Sequence, residues 1–299
     1  MIKIYRELIS AGEKMLDDAC IESPGHDAEA LLCFLTGFDN PHLFLNRDSE
    51  ASEEECERYF NLIGKRLAGE PLQYITGEQY FMGHRFAVNP SVLIPRPETE
   101  LLTEKAIEHI NACSETSGSS DLNVLDLCTG SGAIAVSIAK ACPDVRITAS
   151  DISDQALSIA KKNALELGVS NRIDFVKSDL FAAFRPDGCS LHSQDTNKLD
   201  FDLIITNPPY IKTGDLAGLQ REVKDHEPLS ALDGGSDGLE YYRRIAADAP
   251  DCLRGDGILL SEIGADQAEE VAGIFKAAGF SDVTIFQDLS GYDRIIEVR

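Results

Sequence analysis

The 299-residue sequence predicts an α/β protein: a doubly wound, mostly parallel sheet of seven strands with a small all-helical domain at its N-terminus. Three observations predict it. From Asn123 onward, short apolar runs alternate with amphipathic stretches, as in a parallel sheet whose crossovers are helices. Residues 1–70 carry their apolar side chains at helical spacing. Near the end, Val283–Gln287 and Arg294–Val298 flank "DLSGYD", the layout of a closing antiparallel pair.

Taken in order, Ile4, Leu8, Met15 and Ala19 lie near one face of an opening helix. "DAEALLCFLT" (Asp27 to Thr36) is a second, with Ser23-Pro24 as its start signal. Ser52 and Glu55 make a capping box. From there Cys56, Tyr59, Phe60, Ile63 and Leu67 repeat until Gly69, a C′ stop. In residues 71–95 the β-prone "QYITG" and "HRFAV" around Gly77 and Gly83 predict a β-hairpin linker between two domains. "IPRPETE" breaks the strand, and Glu98 opens a helix through Ile110. "CSETSGSSD" (Cys113 to Asp121) reads as a polar loop.

Residues 96–299 form the α/β domain. Its strands are expected at Asn123–Leu127, Arg146–Ser150, Arg172–Lys177, Asp202–Thr206 and Gly257–Ile263, ahead of the closing pair. Helices are expected at Ala133–Cys142, Ser153–Leu167, Leu239–Leu253 and Asp266–Ala278. "RPDGCSLHSQDTNK" (Arg185 to Lys198) is a polar loop with no assigned role.

Composition narrows the classes. The net charge is −24, with 20 acidic against 10 basic residues in 1–110 and 31 against 17 in the remainder. Neither portion offers the basic stripe that neutralises phosphates, so no direct nucleic-acid partner is expected. An acidic surface favours encounter with a basic partner. The eight cysteines form no C-x-x-C pair and the six histidines no H-E-x-x-H, so no metal site is expected. No apolar run approaches the ~18 residues of a membrane span. "MIKIYRELIS" lacks a signal peptide's apolar core. A cytoplasmic monomer with no membrane contact is expected.

"VLDLCTGSGAIA" (Val124 to Ala135) is a strand, a glycine turn and a helix start, and Gly130 and Gly132 let the backbone approach a ligand. It also fits the dinucleotide pattern G-x-G-x-x-G/A, which keeps a nicotinamide or flavin enzyme in play. Asp126, just before the turn, would repel a pyrophosphate but accept from an ammonium group; capping of local N–H groups is its other reading. Asp151 ends the next strand about 20 residues on, where a carboxylate binds ribose hydroxyls with either cofactor. Asp179 follows the third strand, where it could accept from an adenine amino group or simply face solvent. Together these residues describe a pocket for a nucleoside bearing a cation, such as S-adenosylmethionine.

"TNPPYI" (Thr206 to Ile211) follows the fourth strand, at the carboxyl edge where open α/β sheets bind ligands. A planar amide or arylamine nitrogen has a delocalised lone pair. Its methylation requires a grip on both N–H hydrogens and an aim at the methyl group. The Asn207 oxygen and the Pro208 carbonyl supply two acceptors, Pro208 and Pro209 give rigidity, and Tyr210 can stack on the flat group.

"TNPPYI", "VLDLCTGSGAIA" and "GEPLQYITGEQYFMGHRFAVNPSVLIPRPETE", with "HEPLSALDGGSDGLEYYRRI" (His226 to Ile245), closely resemble bacterial release-factor glutamine N5-methyltransferases. The resemblance runs from about Gly69 to the end, most specifically over Gly69 to Glu100. It implies the seven-stranded methyltransferase sheet, S-adenosyl-L-methionine as cofactor, and as substrate the glutamine of the Gly-Gly-Gln loop of class 1 peptide chain release factors. Residues 1–70 would dock that protein. Cofactor contacts carry over onto Asp126, Leu127, Cys128, Thr129, Gly130, Asp151, Asp179, Leu180 and Asn207. The glutamine amide would meet Asn207, Pro208, Pro209 and Tyr210. Where familiar members can place an aromatic on the adenine, this chain has Leu180. A ribosomal-protein glutamine methyltransferase, an adenine-N6 DNA methyltransferase sharing N-P-P-Y, and a non-catalytic binding module remain as alternatives.

Overall fold

The computed structural model describes residues 4–117, 122–184 and 201–299. The chain divides into two compact units, Met1–Glu78 with Gln220–His226, and Gln79–Leu219 with Glu227–Arg299.

The first unit is helical: α1 (Tyr5–Asp18), α2 (Pro24–Thr36), α3 (Asn40–Leu45), α4 (Glu53–Leu67) and α5 (Leu72–Thr76). Leu8 and Leu16 of α1, Leu31 and Leu32 of α2, and Tyr59 and Ile63 of α4 are fully buried together. Each such aliphatic side chain contributes about 1.5–3 kcal/mol. The buried face of α1 runs through Leu8, Ile9, Gly12 and Leu16. Met15 and Ala19, expected on that face, are exposed, because 3.6-residue periodicity carries them past its edge. The capping box forms as expected: Ser52 Oγ accepts from Glu55 N, and Ser52 N donates to Glu55 Oε2. Arg66 is buried with two carboxylates, donating Nε to Asp27 Oδ2 at 2.7 Å and placing Nη2 2.9 Å from Glu222 Oε2. Pairing offsets the desolvation of that charge and ties the 220–226 segment to α4.

"QYITG", expected as strand, is helical in α5. Pro71 at its N-cap starts the turn and Gly77, in the left-handed region, ends it. The hairpin lies just beyond, as β1 (Glu78–Phe81) and β2 (His84–Ala87). Its turn residues Met82 and Gly83 both have positive φ, the two-residue turn that matches strand twist.

In the second unit follow α6 (Pro97–Ser117), β3 (Asn123–Leu127), α7 (Ala133–Ala141), β4 (Arg146–Asp151), α8 (Asp154–Glu166), β5 (Ile173–Lys177) and β6 (Phe201–Thr206). The short α9 (Arg221–His226) belongs to the first unit. Then come α10 (Glu240–Cys252), β7 (Leu253–Glu262), α11 (Ala268–Ala277), β8 (Val283–Gln287) and β9 (Asp293–Val298). The helix expected to end at Ile110 runs to Ser117, absorbing the start of the expected polar loop; positions 118–121 lie outside the described residues. So does the Arg185 to Lys198 loop. Helices α3 and α9, of six residues each, are too short to leave a periodic signal.

The sheet has the order β5-β4-β3-β6-β7-β9-β8. The first five are parallel, and β9 is antiparallel to both its neighbours. The expected fold class is the one observed. Strand side chains alternate between two cores. Val124, Leu203, Ile205, Ile258 and Leu260 pack under α6 and α7, while Leu125, Leu127, Ile204 and Leu259 pack under α10 and α11. Chain order reverses between β3 and β6, so the loops after these two strands flank the crevice where such sheets take ligands.

Candidate active site

The glycine loop and "TNPPYI" leave neighbouring strands at the same level. Leu127 and Thr206 are register partners, and Thr206 Oγ1 donates to Leu127 O at 3.0 Å. β4 ends alongside: Thr129 N donates to Ser150 O, and Ser178 N after β5 donates to Asp151 O. Four strand ends therefore meet at one edge.

A cleft of about 730 Å³, counted out to its open mouth, lies there. Of the residues singled out in the sequence, Cys128, Gly130, Asp151, Asp179, Leu180, Asn207 and Pro209 line it. Asp126, Leu127, Thr129, Gly132, Pro208 and Tyr210 do not. The sequence reading missed the Ser91–Leu93 turn and the Pro228, Ser230 and Ala231 wall. It also missed Ile152, exposed beside Asp151, and Tyr241. Tyr241 is the second residue of α10, where no apolar pattern marks it as a wall.

The loop turns through left-handed conformations at Cys128, Gly130 and Gly132. At Gly132, φ is +80° and a Cβ would come within 3.0 Å of Ala160 Cβ, so only glycine lets α7 pack on α8 there. Asp151 is held by two amides: Gly130 N donates to Oδ2 and Ser153 N to Oδ1, each at 2.9 Å. A carboxylate offers about four lone-pair sites, so each oxygen keeps acceptor capacity for a hydroxyl. Burial pushes the Asp151 carboxyl up, and the backbone amides of Ser153, Gly130 and Ile152 pull it back. Asp179 Oδ1 accepts from Arg244 Nη2 at 2.6 Å, and that guanidinium lies 5.8 Å from the Tyr241 ring centroid. Leu180 is buried with φ +49°, turned by a Ser178 hydroxyl that donates to Leu180 O.

Asp126 points the other way. Strand alternation aims it to the α7 side, where it is fully buried. Oδ2 accepts from Thr129 Oγ1 at 2.6 Å and from Ala135 N at 3.2 Å, while Oδ1 has no partner among the described residues. Burial raises its carboxyl from 3.8 to about 7. Such a group binds its proton more tightly folded than unfolded. Its stabilising share is complete below the unfolded value near 3.9 and is lost as pH rises through 7. Asp126→Asn, in the absence of ligand, should therefore be more stable than the unaltered chain at pH 8, by up to about 4 kcal/mol. The gap should close toward pH 4. Thermal unfolding across that range reads it, and parallel pH slopes for the two proteins would assign the titration to another group.

The second half of the site is a clamped loop. Ile211 N donates to Leu232 O and Gly234 N to Ile211 O, fastening "TNPPYI" to the segment 232–238. A Cβ on Gly234 would fall 2.7 Å from Tyr210 Cα, so the two backbones touch directly. Gln267 Nε2 donates to Tyr210 O at 3.0 Å. Beneath lies Glu262, fully buried, accepting from Thr99 Oγ1 at 2.6 Å and from Tyr210 Oη at 3.2 Å. Burial pushes its carboxyl up, while the Thr99 bond, Arg294 and the Tyr210 bond oppose this. Tyr210, read in the sequence as a stacking ring, thus spends its hydroxyl on Glu262. Asn207 donates Nδ2 to Thr99 Oγ1 at 3.1 Å. An acid inside the apolar run "GILLSEIG" was the one signal that could have found Glu262.

The donor and acceptor set fits a nucleoside, with amide-anchored Asp151 for hydroxyls and a glycine backbone at the wall. Among the described residues no cluster could hold a metal ion, and no helix is long and apolar enough to cross a membrane.

Two family models match: the PrmC N-terminal domain over residues 7–77 and the methyltransferase small domain over residues 107–221. A release factor glutamine methyltransferase of Chlorobaculum tepidum is 40% identical over 96% of this chain and 94% of its own length. That of Geobacter sulfurreducens is 38% identical over 98% and 96%. Among solved structures, the catalytic domain of hMettl16 in complex with MAT2A 3′UTR hairpin 1 superposes with a TM-score of 0.54. It is 16% identical and covers 89% of this chain and 90% of that one, a likeness of fold alone.

Proposed function

The chain belongs to the release factor glutamine methyltransferase family, and from that footing we propose that it methylates the side-chain amide nitrogen (N5) of the glutamine in the Gly-Gly-Gln loop of class 1 peptide chain release factors. The observation that carries this reading is that Asn207 and Pro209 line the same cleft as Gly130 and Asp151. A nucleoside donor and an Asn-Pro-Pro-Tyr loop would then face each other across one space.

S-adenosyl-L-methionine, when bound, supplies an electrophilic methyl group on a cationic sulfur. Asp151 would hold its ribose hydroxyls, Gly130 and Cys128 its path along the wall, and Asp179 with Leu180 its base. Asp126 would act through the loop it caps, not by direct contact. The chain's own contribution to transfer is orientation. Asn207 Oδ1, at the cleft lining, would accept an amide hydrogen of the substrate, which aims the nitrogen and leaves its remaining electron density for the methyl carbon. The step would balance with the methyl–sulfur bond breaking as the nitrogen–methyl bond forms, the sulfur keeping that electron pair, and with one N–H proton passing to solvent water. The acidic chain suits a basic protein partner.

The test is side-by-side incubation with labelled S-adenosylmethionine and purified release factor, ribosomal protein or DNA, followed by mapping of the label. Label on the Gly-Gly-Gln glutamine is the expected result, and label only on ribosomal protein or on adenine would overturn the reading. Docking is assigned to residues 1–70, which carry no chemical constellation but expose Phe34, Phe44 and Leu45. Changing these three to serine should raise KM for the release factor with kcat and donor affinity kept. An unchanged KM would place docking elsewhere.

A further inference from the structure

We propose that Thr99 and Glu262 are positioning residues that fix which end of the Asn207 amide meets the substrate; this rests on the reading of Asn207 given above. Thr99 and Glu262 are buried, on α6 and β7, and neither lines the cleft. Among the described residues, their side-chain hydrogen bonds lead to it through Asn207 and the neighbouring Tyr210.

The logic is one of proton direction. A threonine hydroxyl has one proton and two acceptor sites. Thr99 donates that proton to Glu262 Oε2 at 2.6 Å. Its oxygen can then only accept, and the 3.1 Å contact to Asn207 must be made by the Asn207 NH2. The amide is thereby turned with Oδ1 to the cleft. In the flipped amide, Oδ1 would oppose a threonine oxygen with no proton to give, and NH2 would face the N–H hydrogens of the substrate. Donor would meet donor, and the grip on the nitrogen would be lost. Tyr210 Oη occupies the other Glu262 oxygen, so the carboxylate also fixes the far side of the same loop.

The arrangement assigns to the "IPRPETE" segment a task at the reacting centre. Thr99 lies in the first turn of α6, and the Pro97 that opens that helix fixes the backbone which presents the hydroxyl.

The test uses full-length protein in single-turnover methylation of release factor at saturating donor. Thr99→Val removes the hydroxyl at constant shape and should slow transfer roughly tenfold, the worth of one lost polar bond. Donor affinity should not change, and Thr99→Ser should restore the rate. Asn207→Asp removes the question of orientation, because both carboxylate oxygens accept. In that background Thr99→Val should cost nothing. A threonine that merely packs would cost the same in both backgrounds, and that outcome overturns the proposal, as does a wild-type rate for Thr99→Val. Should Thr99→Val fail to fold, Glu262→Met frees the Thr99 proton, and the same loss confined to the Asn207 background is expected. If Asn207→Ala is slow while Thr99→Val is fast, only the positioning role fails. If Asn207→Ala is as fast as the unaltered chain, the reading of the site itself fails.

Discussion

Asn207→Ala is expected to bind S-adenosylmethionine within a few-fold of the unaltered chain and to transfer its methyl group about 10²–10³ more slowly, the usual cost of losing one preorganised acceptor at a reacting centre. The split follows from where the two jobs sit. The glycine loop and the amide-held Asp151 lie on β3 and β4, and Asn207 ends β6 across the chain reversal. Truncating Asn207 leaves the first set untouched. It removes the one side-chain amide that lines the cleft on that wall, and a substrate nitrogen with a delocalised lone pair gains little from any base. The loop itself should hold its shape, because Ile211, Gly234 and Gln267 clamp it through backbone atoms that the mutation does not alter. Single-turnover methylation at saturating donor and release factor reads the effect. A rate near that of the unaltered chain would sink the role given to the Asn-Pro-Pro-Tyr loop.

The sheet was legible because each strand of the parallel set is a short apolar run with punctuation at both ends. Alternation with helices leaves few topologies open. What misled was local: "QYITG" has β-branched and aromatic residues in a row, but Pro71 and Gly77 bracket it at a one-turn helical length and Leu72, Tyr74 and Ile75 are buried. At the site, the residues found in advance were those whose chemistry is anomalous for their place: glycines after a strand, carboxylates at strand ends, an amide before two prolines. Those missed do ordinary things in the sequence. Ser91, Pro228, Ser230 and Ala231 are unremarkable loop residues brought to the cleft by tertiary packing alone. Asp126 shows the converse. Its type and position suggested a direct contact, yet the two-residue period of β3 turns it toward α7. A count of strand parity from Val124, which shares its face, would have shown this.

The same strand-end geometry makes Asp151→Ala the largest expected loss of donor affinity. Two hydroxyl bonds to a carboxylate are worth about 1.5–3 kcal/mol each, so their removal should weaken binding by about 10²–10⁴. The substitution also releases Gly130 N and Ser153 N, which both donate to that carboxylate, and so loosens the loop that faces the ligand. Asp151→Asn should fall between the two, since its single carbonyl oxygen can serve one amide while its NH2 confronts the other. Asp179→Ala should do less, because Arg244 already holds one oxygen of that side chain at the exposed rim. Acid should weaken donor binding in the unaltered chain as Asp151 takes up a proton. Burial raises that carboxyl, so the fall should begin at a higher pH than for a free aspartate. The acid dependence should vanish in Asp151→Ala. Calorimetric titration with S-adenosylmethionine and its demethylated product, with NAD as the control, measures all of this. If Asp151→Ala binds the donor within threefold of the unaltered chain, the ribose is held by other groups. If NAD binds tightly and the sulfonium not at all, the two amide-anchored oxygens serve a dinucleotide instead.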